Sequence, residues 1–394
     1  MDKLMSGPTA SLFETPQLFD ANKIRKSLAE SLSCEIESYV YEELPPINVD
    51  KWTAVSGLHK AVRRGEIVLA NMYATTLINL DPNYLFRRLP ILVYEDLGIA
   101  DSCMYEYINA LNSKVIRNMY GDKKLASYLV GKIAKSPKNR TATDILCQLN
   151  IDPDADSYLH GCLNTPVNRL VHIATDTNLS LNHRMTALKV ISGFSERQSN
   201  GYYRTISKPR LDLLQQVCED MSASPSLTNA VLLGNGKTEG LNAALLLANE
   251  MLMESSTAII AEDKVPSQYY ESINLAALDI YCRSGRTVIS QLVATSKSLQ
   301  KYFTAHPVKN CARLVGTILY IIEGSLLYRE LHFDGSHELK ANLELAEIFA
   351  AGMKTKDEVD ELTALVRFEI PLLNDLRISY LKSIDDMSHH DLCA

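Results

Sequence analysis

The chain has 394 residues, with 40 lysine and arginine side chains against 47 aspartate and glutamate side chains, a net charge of −7. This length allows two or more domains that each bury a core, and no run of 18 apolar residues is present to cross a membrane. The eight cysteines are dispersed without a Cys-x-x-Cys pair, which predicts reduced thiols and a cytoplasmic location.

The first part of the chain predicts a tail followed by helices. Residues 1–16 are expected to be flexible, and a lead-in helix over 17–44 ends before Pro45, because proline restricts the residue before it. Asp50 is a residue type that caps helix starts, so the next helix is expected to begin there.

Asp81 followed by Pro82 predicts a further helix start, and Pro90 predicts a kink or break inside that helix. Helical patterns then cover 103–118, 122–135, 139–149, 165–195, 209–222, 239–254, 266–282, 286–304, 309–330, 338–352 and 355–385. A polar loop is expected over 195–208. Because strand signals are nearly absent, the predicted fold class is all-α, built from multi-helix bundle domains.

Breaks in the helical pattern suggest a division into regions. The sequence Asp152-Pro153-Asp154 predicts a boundary between a helical domain over 49–152 and a second helical region over 153–394. A sub-boundary near residue 225 is a further possibility, and residues 1–48 form the tail and lead-in helix.

Charge is unevenly distributed along the chain. Residues 51–140 contain fourteen basic and seven acidic side chains, a balance of +7. A basic segment inside an acidic protein is typical of a surface that faces nucleic acid. The alternative is that these charges pair with acidic neighbours in the folded protein.

Three motifs lie in order within this basic segment. They are SGLHKAVR at 56–63, RRL at 87–89 with EDLGIAD at 95–101, and IAKSPKN at 133–139. Together, over about residues 52–150, they resemble the C-terminal helical domain of the MgsA/RarA family, whose eukaryotic member interacts with the Werner helicase. These proteins are AAA+ ATPases related to clamp-loader subunits.

The resemblance implies a collar-like helical domain that builds an oligomer, typically a tetramer. The sequence departs from the family at Gly57, at Met72-Tyr73 and at Pro90, and no ATPase core precedes the motifs. We therefore expect a non-catalytic, homo-oligomeric accessory protein of DNA replication or repair that binds DNA, a replication clamp or a replication ATPase. A detached family domain of this kind favours a phage origin.

Two alternatives remain open at this stage. One is a regulator or inhibitor that mimics the collar of a host replication ATPase. The other is an enzyme whose site is assembled from scattered residues. ATP turnover and salt-dependent DNA binding would distinguish among the three.

The charged side chains of the motifs are the candidate site. The candidates for contact with nucleic acid or with a second subunit are Lys60, Arg63, Arg64, Arg87, Arg88, Lys135, Lys138 and Arg140. Glu95 and Asp96 are their nearest acidic partners, and Gly98 is expected to end a helix. Internal ion pairs, phosphate contact and pairing between subunits all suit arginine, which makes bidentate bonds to carboxylate or phosphate.

The sequence contains few signals of nucleotide binding, metal binding or catalysis. Gly236-Lys237-Thr238 imitates the end of a phosphate-binding loop, but position 231 is valine where a Walker A loop needs glycine. No ligand spacing for a metal and no catalytic arrangement is recognisable, so we predict no metal, no cofactor and no enzymatic activity.

The N-terminal tail contains one short peptide of interest. Gln17-Leu18-Phe19 resembles a shortened form of the peptide by which bacterial proteins dock on the sliding clamp. The alternative is a hydrophobic lead-in that packs on the following helix.

Overall fold

The computed structural model describes residues 20–199, 201–235 and 238–391. Within these ranges helices dominate and strands occur only as short pairs, so the fold is all-α as predicted. No helix of the described part is long and apolar enough to cross a membrane. The predicted clamp peptide at Gln17-Leu18-Phe19 and the Gly236-Lys237 pair lie outside the described residues.

Twenty α-helices are present among the described residues. The first ten are α1 Ala21–Ser38, α2 Lys51–Arg63, α3 Ile67–Leu80, α4 Pro82–Leu92, α5 Cys103–Leu111, α6 Lys114–Tyr120, α7 Asp122–Lys135, α8 Thr141–Ile151, α9 Ala155–Leu163 and α10 Arg169–Thr175. The others are α11 Leu181–Ile191, α12 Leu211–Asp220, α13 Pro225–Gly234, α14 Leu241–Glu254, α15 Arg283–Thr295, α16 Lys297–Ala305, α17 Cys311–Leu319, α18 Ser336–Ala350, α19 Lys356–Phe368 and α20 Ile370–Asp391.

Short elements of other kinds connect these helices. π-helical turns lie at Val93–Leu97 and Tyr320–Gly324, and 3-10 turns at Gly98–Ala100 and Leu275–Ala277. The strands are β1 Phe194–Arg197, β2 Tyr203–Thr205, β3 Ala258–Ala261, β4 Tyr269–Tyr270, β5 Ile273–Asn274 and β6 Glu330–Phe333. They form three antiparallel pairs, β1 with β2, β3 with β6 and β4 with β5.

Helix starts follow the capping residues that the sequence offers. The Asp50 carboxylate accepts hydrogen bonds from the backbone N–H groups of Trp52 at 2.8 Å and Thr53 at 3.2 Å, which begins α2. Asp81 accepts from the backbone N–H of Tyr84 at 2.9 Å, with proline in the first turn of α4. Both predicted helix starts are confirmed. Pro90 lies inside α4, and the change to a π-helical turn comes three residues later.

One predicted helix is wrong and several are divided. Residues 266–282 form the β4–β5 hairpin and a 3-10 turn, because tertiary contacts override the local helical pattern. The backbone N–H of Asn274 donates to the Tyr73 hydroxyl at 3.2 Å, and its side chain caps the 3-10 turn. The helix predicted over 165–195 is split into α10 and α11, and the polar loop predicted over 195–208 contains the β1–β2 pair.

One hydrophobic core runs through the described chain, with buried apolar residues from Ile36 to Leu381. Helix α8, which ends next to Asp152, packs on α14 and on α18. Helix α13, which begins at residue 225, packs on α5 and α14. The predicted divisions at Asp152 and near residue 225 therefore both fall within this core.

Candidate ligand pocket

A cavity of about 380 Å³ lies where α2, α4 and α8 from the first part of the chain meet α18 and the π-helical turn at Tyr320–Gly324. This volume is in the range of small-molecule sites, roughly 300–1,000 Å³. Its lining includes charged side chains from all three N-terminal helices and from α18, together with five tryptophan and tyrosine side chains from separate segments. The cavity therefore collects polar groups that are far apart in the sequence.

One side of the cavity is a cluster that we call the ion-pair node, formed by His59, Arg63, Arg88, Glu95, Asp96 and Arg140. At its centre the Asp96 carboxylate is fully buried. Arg63 Nε donates to Asp96 Oδ1 at 2.8 Å, and Arg140 Nη1 donates to the same oxygen atom. Burial would raise the pKa of Asp96, but these two guanidinium groups hold it well below its usual range.

Glu95 completes the charge balance of the ion-pair node. Its carboxylate accepts from Arg63 Nη2 at 3.1 Å and from Arg140 Nη1 at 3.2 Å. Arg88 Nη2 lies 3.7 Å from the other carboxylate oxygen. Because the π-helical turn holds Glu95 and Asp96 side by side, two adjacent carboxylates face three arginines from three different helices.

His59 is held neutral inside the ion-pair node. Arg88 Nε donates to His59 Nε2 at 2.8 Å, and since a guanidinium can only donate, Nε2 is the accepting nitrogen. His59 Nδ1 then carries the proton and faces Asp96 Oδ2 at 3.2 Å. Burial, together with the nearby Arg88 charge, lowers the pKa of His59 to about 4.

The ion-pair node also connects the first part of the chain to the last. Arg63 Nη1 donates to the Gly324 carbonyl oxygen at 2.8 Å, and Arg64 Nη2 to the Glu323 carbonyl oxygen at 2.8 Å. Lys60, one turn earlier on α2, forms a buried ion pair with Asp279. Every charged side chain of this face of α2 therefore has a partner within the protein.

Most of the predicted nucleic-acid candidates are thus inside the molecule. Lys60, Arg63, Arg64, Lys138 and Arg140 are buried, Arg88 is partly buried, and Arg87 and Lys135 are exposed. Five of the eight candidates for contact with nucleic acid or with a second subunit are therefore buried, and their side chains bind carboxylates and backbone carbonyl oxygens of the same chain. The internal ion pairs given as the alternative for Arg63 with Glu95 and Asp96 are present.

Lys138 and Gly98 both lie against backbone carbonyl oxygens. The Lys138 ammonium donates to the carbonyl oxygens of Ala134, at 2.9 Å, and Ser136, and burial lowers its pKa to about 7. Gly98 has φ +50° and lies against the Asn139 backbone, so that an added Cβ would overlap the Asn139 carbonyl oxygen. The backbone N–H of Asn139 in turn donates to the Asp96 carbonyl oxygen at 3.0 Å. The three sequence motifs therefore meet at the ion-pair node.

Another part of the cavity lining carries three carboxylates that we call the acid wall: Asp144 on α8, and Glu344 and Glu347 on α18. None of the three accepts a hydrogen bond or forms an ion pair within the described residues. Asp144 is only 8% exposed. Burial raises the pKa of Asp144 to about 6 and raises the pKa of both glutamates.

The nearest cations to the acid wall are occupied elsewhere. Lys340, one turn before Glu344, binds Glu330 at 3.3 Å. Arg140 lies one turn before Asp144, and its Nη1 donates hydrogen bonds to Glu95 and Asp96 within the ion-pair node. Both lower the pKa of Asp144 only through longer-range attraction, which burial outweighs.

Aromatic side chains also line the cavity, contributed by Trp52, Tyr84, Tyr202, Tyr281 and Tyr320. Tyr281 and Tyr320 pack edge to face with their ring centroids 5.1 Å apart. Trp52 and Tyr281 are more than half exposed, so their rings lie at the mouth of the cavity.

One set of side chains in the described chain has the spacing of metal ligands. His59, Glu95 and Asp96 each offer an atom within 4.8 Å of the others. Three guanidinium groups already occupy these atoms, and their positive charge opposes a cation at the same place. The set does not suit a metal ion.

No family model, no curated protein and no solved structure matches this chain significantly.

Sequence reasoning identified the ion-pair node but missed the acid wall. Asp144 follows Arg140 by one helical turn, and Glu344 and Glu347 are three residues apart, which places each pair on one helix face. That spacing is also common on solvent-exposed helices. It therefore does not identify a binding site unless α8 and α18 are known to pack together.

Proposed function

We propose that this protein binds a small organic cation, an amine or a guanidine, in the cavity between the ion-pair node and the acid wall. The observation that carries this proposal is that Asp144, Glu344 and Glu347 line one cavity and have no partner among the described side chains. A bound cation would supply the partner that each of them lacks.

The charge distribution supports a cationic ligand. A buried carboxylate without a partner is unfavourable in its charged form, which is why the pKa of Asp144 rises to about 6. Near neutral pH that carboxyl group is largely ionised, and the carboxyl groups of Glu344 and Glu347 line the same cavity. An ammonium or guanidinium group would offset this cost by forming charge-assisted hydrogen bonds.

The shape and lining favour an organic cation over a bare metal ion. Metal ligands must converge on one point, and the acid wall is not among the sets of described side chains whose ligand atoms lie within 4.8 Å of one another. An organic cation is wider and can reach carboxylates that are further apart. The aromatic rings at the mouth of the cavity provide faces that attract such groups.

The experiment is calorimetric titration of the full chain, in a buffer without amines, with butylamine, putrescine and agmatine. Mg²⁺ and Ca²⁺ are titrated in parallel. We expect binding of at least one amine, weakened by about tenfold or more in Asp144→Asn. Glu338→Gln is the control, because Glu338 is exposed on α18, the helix that carries Glu344 and Glu347, and does not line the cavity.

The outcomes separate clearly. Absence of binding by every amine at millimolar concentration would refute the proposal. Equal binding by the wild type and Asp144→Asn would also refute it. Binding of the metal ions but not of the amines would replace the organic cation with an inorganic one.

A second candidate is the non-catalytic, oligomeric accessory protein of DNA replication or repair that the sequence resemblance implies. The observation in its favour is that the three motifs behind the resemblance meet at the ion-pair node, as the parts of one structural unit would. Mimicry of an ATPase collar would draw on the same observation, whereas the cavity gives an unrecognised enzyme a place for its site.

The second candidate is tested by light scattering and by DNA binding at several salt concentrations. It requires a mass well above 43.9 kDa. DNA affinity should fall with salt by a log–log slope of about −0.9 for each phosphate neutralised. Charge reversal of Arg87 and Lys135, the exposed members of the candidate set, should remove that binding. A monomer that does not bind DNA would exclude this candidate and leave the pocket proposal unaffected.

A further inference from the structure

The cavity presents unused donors as well as unused acceptors. Arg140 is 9% exposed and lines the cavity, and its hydrogen bonds to Glu95 and Asp96 both come from Nη1. Its Nε and Nη2 make no hydrogen bond within the described chain. Unlike Nε and Nη1 of Arg64, they are not fully buried. They therefore keep contact with the cavity.

Arg88 offers a second such group. Its Nε is bound to His59, but its Nη2 is 3.7 Å from Glu95, beyond hydrogen-bond distance. The side chain is 29% exposed and lines the same cavity. Two guanidinium groups thus retain free N–H groups on the side of the cavity that belongs to the ion-pair node. Free guanidinium N–H groups are the preferred partners of carboxylate and phosphate.

The two kinds of unused group have a defined separation. Arg140 lies directly before α8 and Asp144 lies within it, four residues later, a spacing of about one helical turn, and both side chains line the cavity. Donors for an anion and acceptors for a cation therefore lie about one helical turn apart, where the ion-pair node meets the acid wall. Arg88 extends the first group and the two glutamates of α18 extend the second.

We infer that the ligand is zwitterionic, with its cationic group at the acid wall and an anionic group at Arg88 and Arg140. This inference rests on the proposed function and names its ligand class: an ω-amino acid or an amino phosphate whose charges are separated by several ångströms. An α-amino acid is disfavoured, because its ammonium and carboxylate are too close together to reach both groups. The ligand's hydrocarbon part would lie along the aromatic lining.

The test compares ligands of matched length and different charge. The full chain is titrated with 4-aminobutyrate, butylamine and butyrate, and with the ω-amino acids from glycine to 6-aminohexanoate. Phosphoethanolamine and β-alanine distinguish a phosphate from a carboxylate at the anionic end. We expect 4-aminobutyrate to bind at least about tenfold more tightly than butylamine, and glycine to bind more weakly than either.

Variants assign the anionic end. In Arg88→Gln the ratio of the 4-aminobutyrate and butylamine affinities should fall towards one. In Arg88→Lys, which keeps the charge but loses the fork of donors, the ratio should be intermediate. Arg87→Gln is the matched control, because this neighbouring arginine is exposed and does not line the cavity. Melting temperatures of all variants show that each is folded.

The results distinguish the two proposals. If butylamine binds in a manner that depends on Asp144 and the zwitterions bind no better, the zwitterion inference is wrong and the proposed function stands. The same holds if Arg88→Gln changes both affinities equally. If neither amines nor zwitterions bind, both are wrong.

Discussion

The ion-pair node and the acid wall line one cavity and both contain carboxylates, but the surroundings shift the pKa of these carboxylates in opposite directions. Each carboxylate of the node meets two or more cationic or histidine partners, and its pKa is lowered. Each carboxylate of the wall lacks a partner among the side chains that the structure describes, and its pKa is raised. Paired buried charges fix how helices meet, whereas unpaired ones cost stability and so indicate a ligand.

The largest effect should come from breaking the ion-pair node. Asp96→Asn leaves the buried guanidinium groups of Arg63 and Arg140 without their main counter-charge, so we expect the free energy of unfolding to fall by about 3–5 kcal/mol. Urea denaturation measures it. Glu35→Gln is the control, because its partly exposed pair with Lys132 should contribute no more than about 1 kcal/mol. Similar losses in the two variants would mean that the buried ion-pair node contributes no more to stability than a partly exposed ion pair does.

A backbone substitution next to the ion-pair node should be the next most damaging. Gly98→Ala places a methyl group against the Asn139 carbonyl oxygen in a backbone conformation that favours glycine, and we expect a loss of about 3 kcal/mol. Gly121→Ala has an equally unusual φ, +80°, but nothing within 4 Å of the added carbon. It should cost about 1–2 kcal/mol. Equal losses would show that the close approach at Gly98 does not matter.

The acid wall should respond to mutation in the opposite direction. Asp144 has a pKa of about 6 in the folded protein against a model-compound value of 3.8, so folding favours its protonated form. Stability therefore falls as the pH rises from about 4 to about 6, and the penalty is complete above that range. Asp144→Asn removes the penalty and should raise the free energy of unfolding by about 2–3 kcal/mol at pH 8.

That gain should shrink towards pH 5, where the wild-type carboxyl group is largely protonated. Denaturation at the two pH values checks the trend. A loss of stability at pH 8 would instead mean that Asp144 is stabilised by a partner when ionised.

The smallest effect expected is on the pH dependence of ligand binding. An ammonium ligand favours ionised Asp144, so the affinity for butylamine should decrease by about tenfold between pH 7 and pH 5, as the carboxyl group takes up a proton. In Asp144→Asn this dependence should be weaker, with the two glutamates of the acid wall responsible for what remains. A wild-type affinity that is independent of pH would separate ligand binding from Asp144.

Local features of this fold could be predicted from the sequence. Helix starts at Asp50 and Asp81 follow from capping chemistry, which depends on neighbouring residues. The pairing of Arg63 with Glu95 and Asp96 could be offered as an alternative because the partners are close in the chain and lie in adjacent motifs. The resemblance of these motifs to the MgsA/RarA family stays a prediction.

The cavity could not be predicted in the same way. Its lining joins α2, α4 and α8 to α18, about 200 residues after α8 in the sequence, and no local pattern shows that α8 and α18 pack together. The helix expected over 266–282 failed for a related reason, because Asp279 and Asn274 are engaged by Lys60 and Tyr73 from the first part of the chain. Long-range contacts decide both cases.

The ion-pair node also has a consequence for how the protein is made. Arg63 and its acceptor at Gly324 are 261 residues apart in the sequence. At usual rates of translation, the acceptor is synthesised about 10–50 s after Arg63. During that interval α2 has emerged from the ribosome while its final contacts do not yet exist. Folding that depends on such distant contacts is slow. The N-terminal helices therefore reach their final packing only after synthesis of most of the chain.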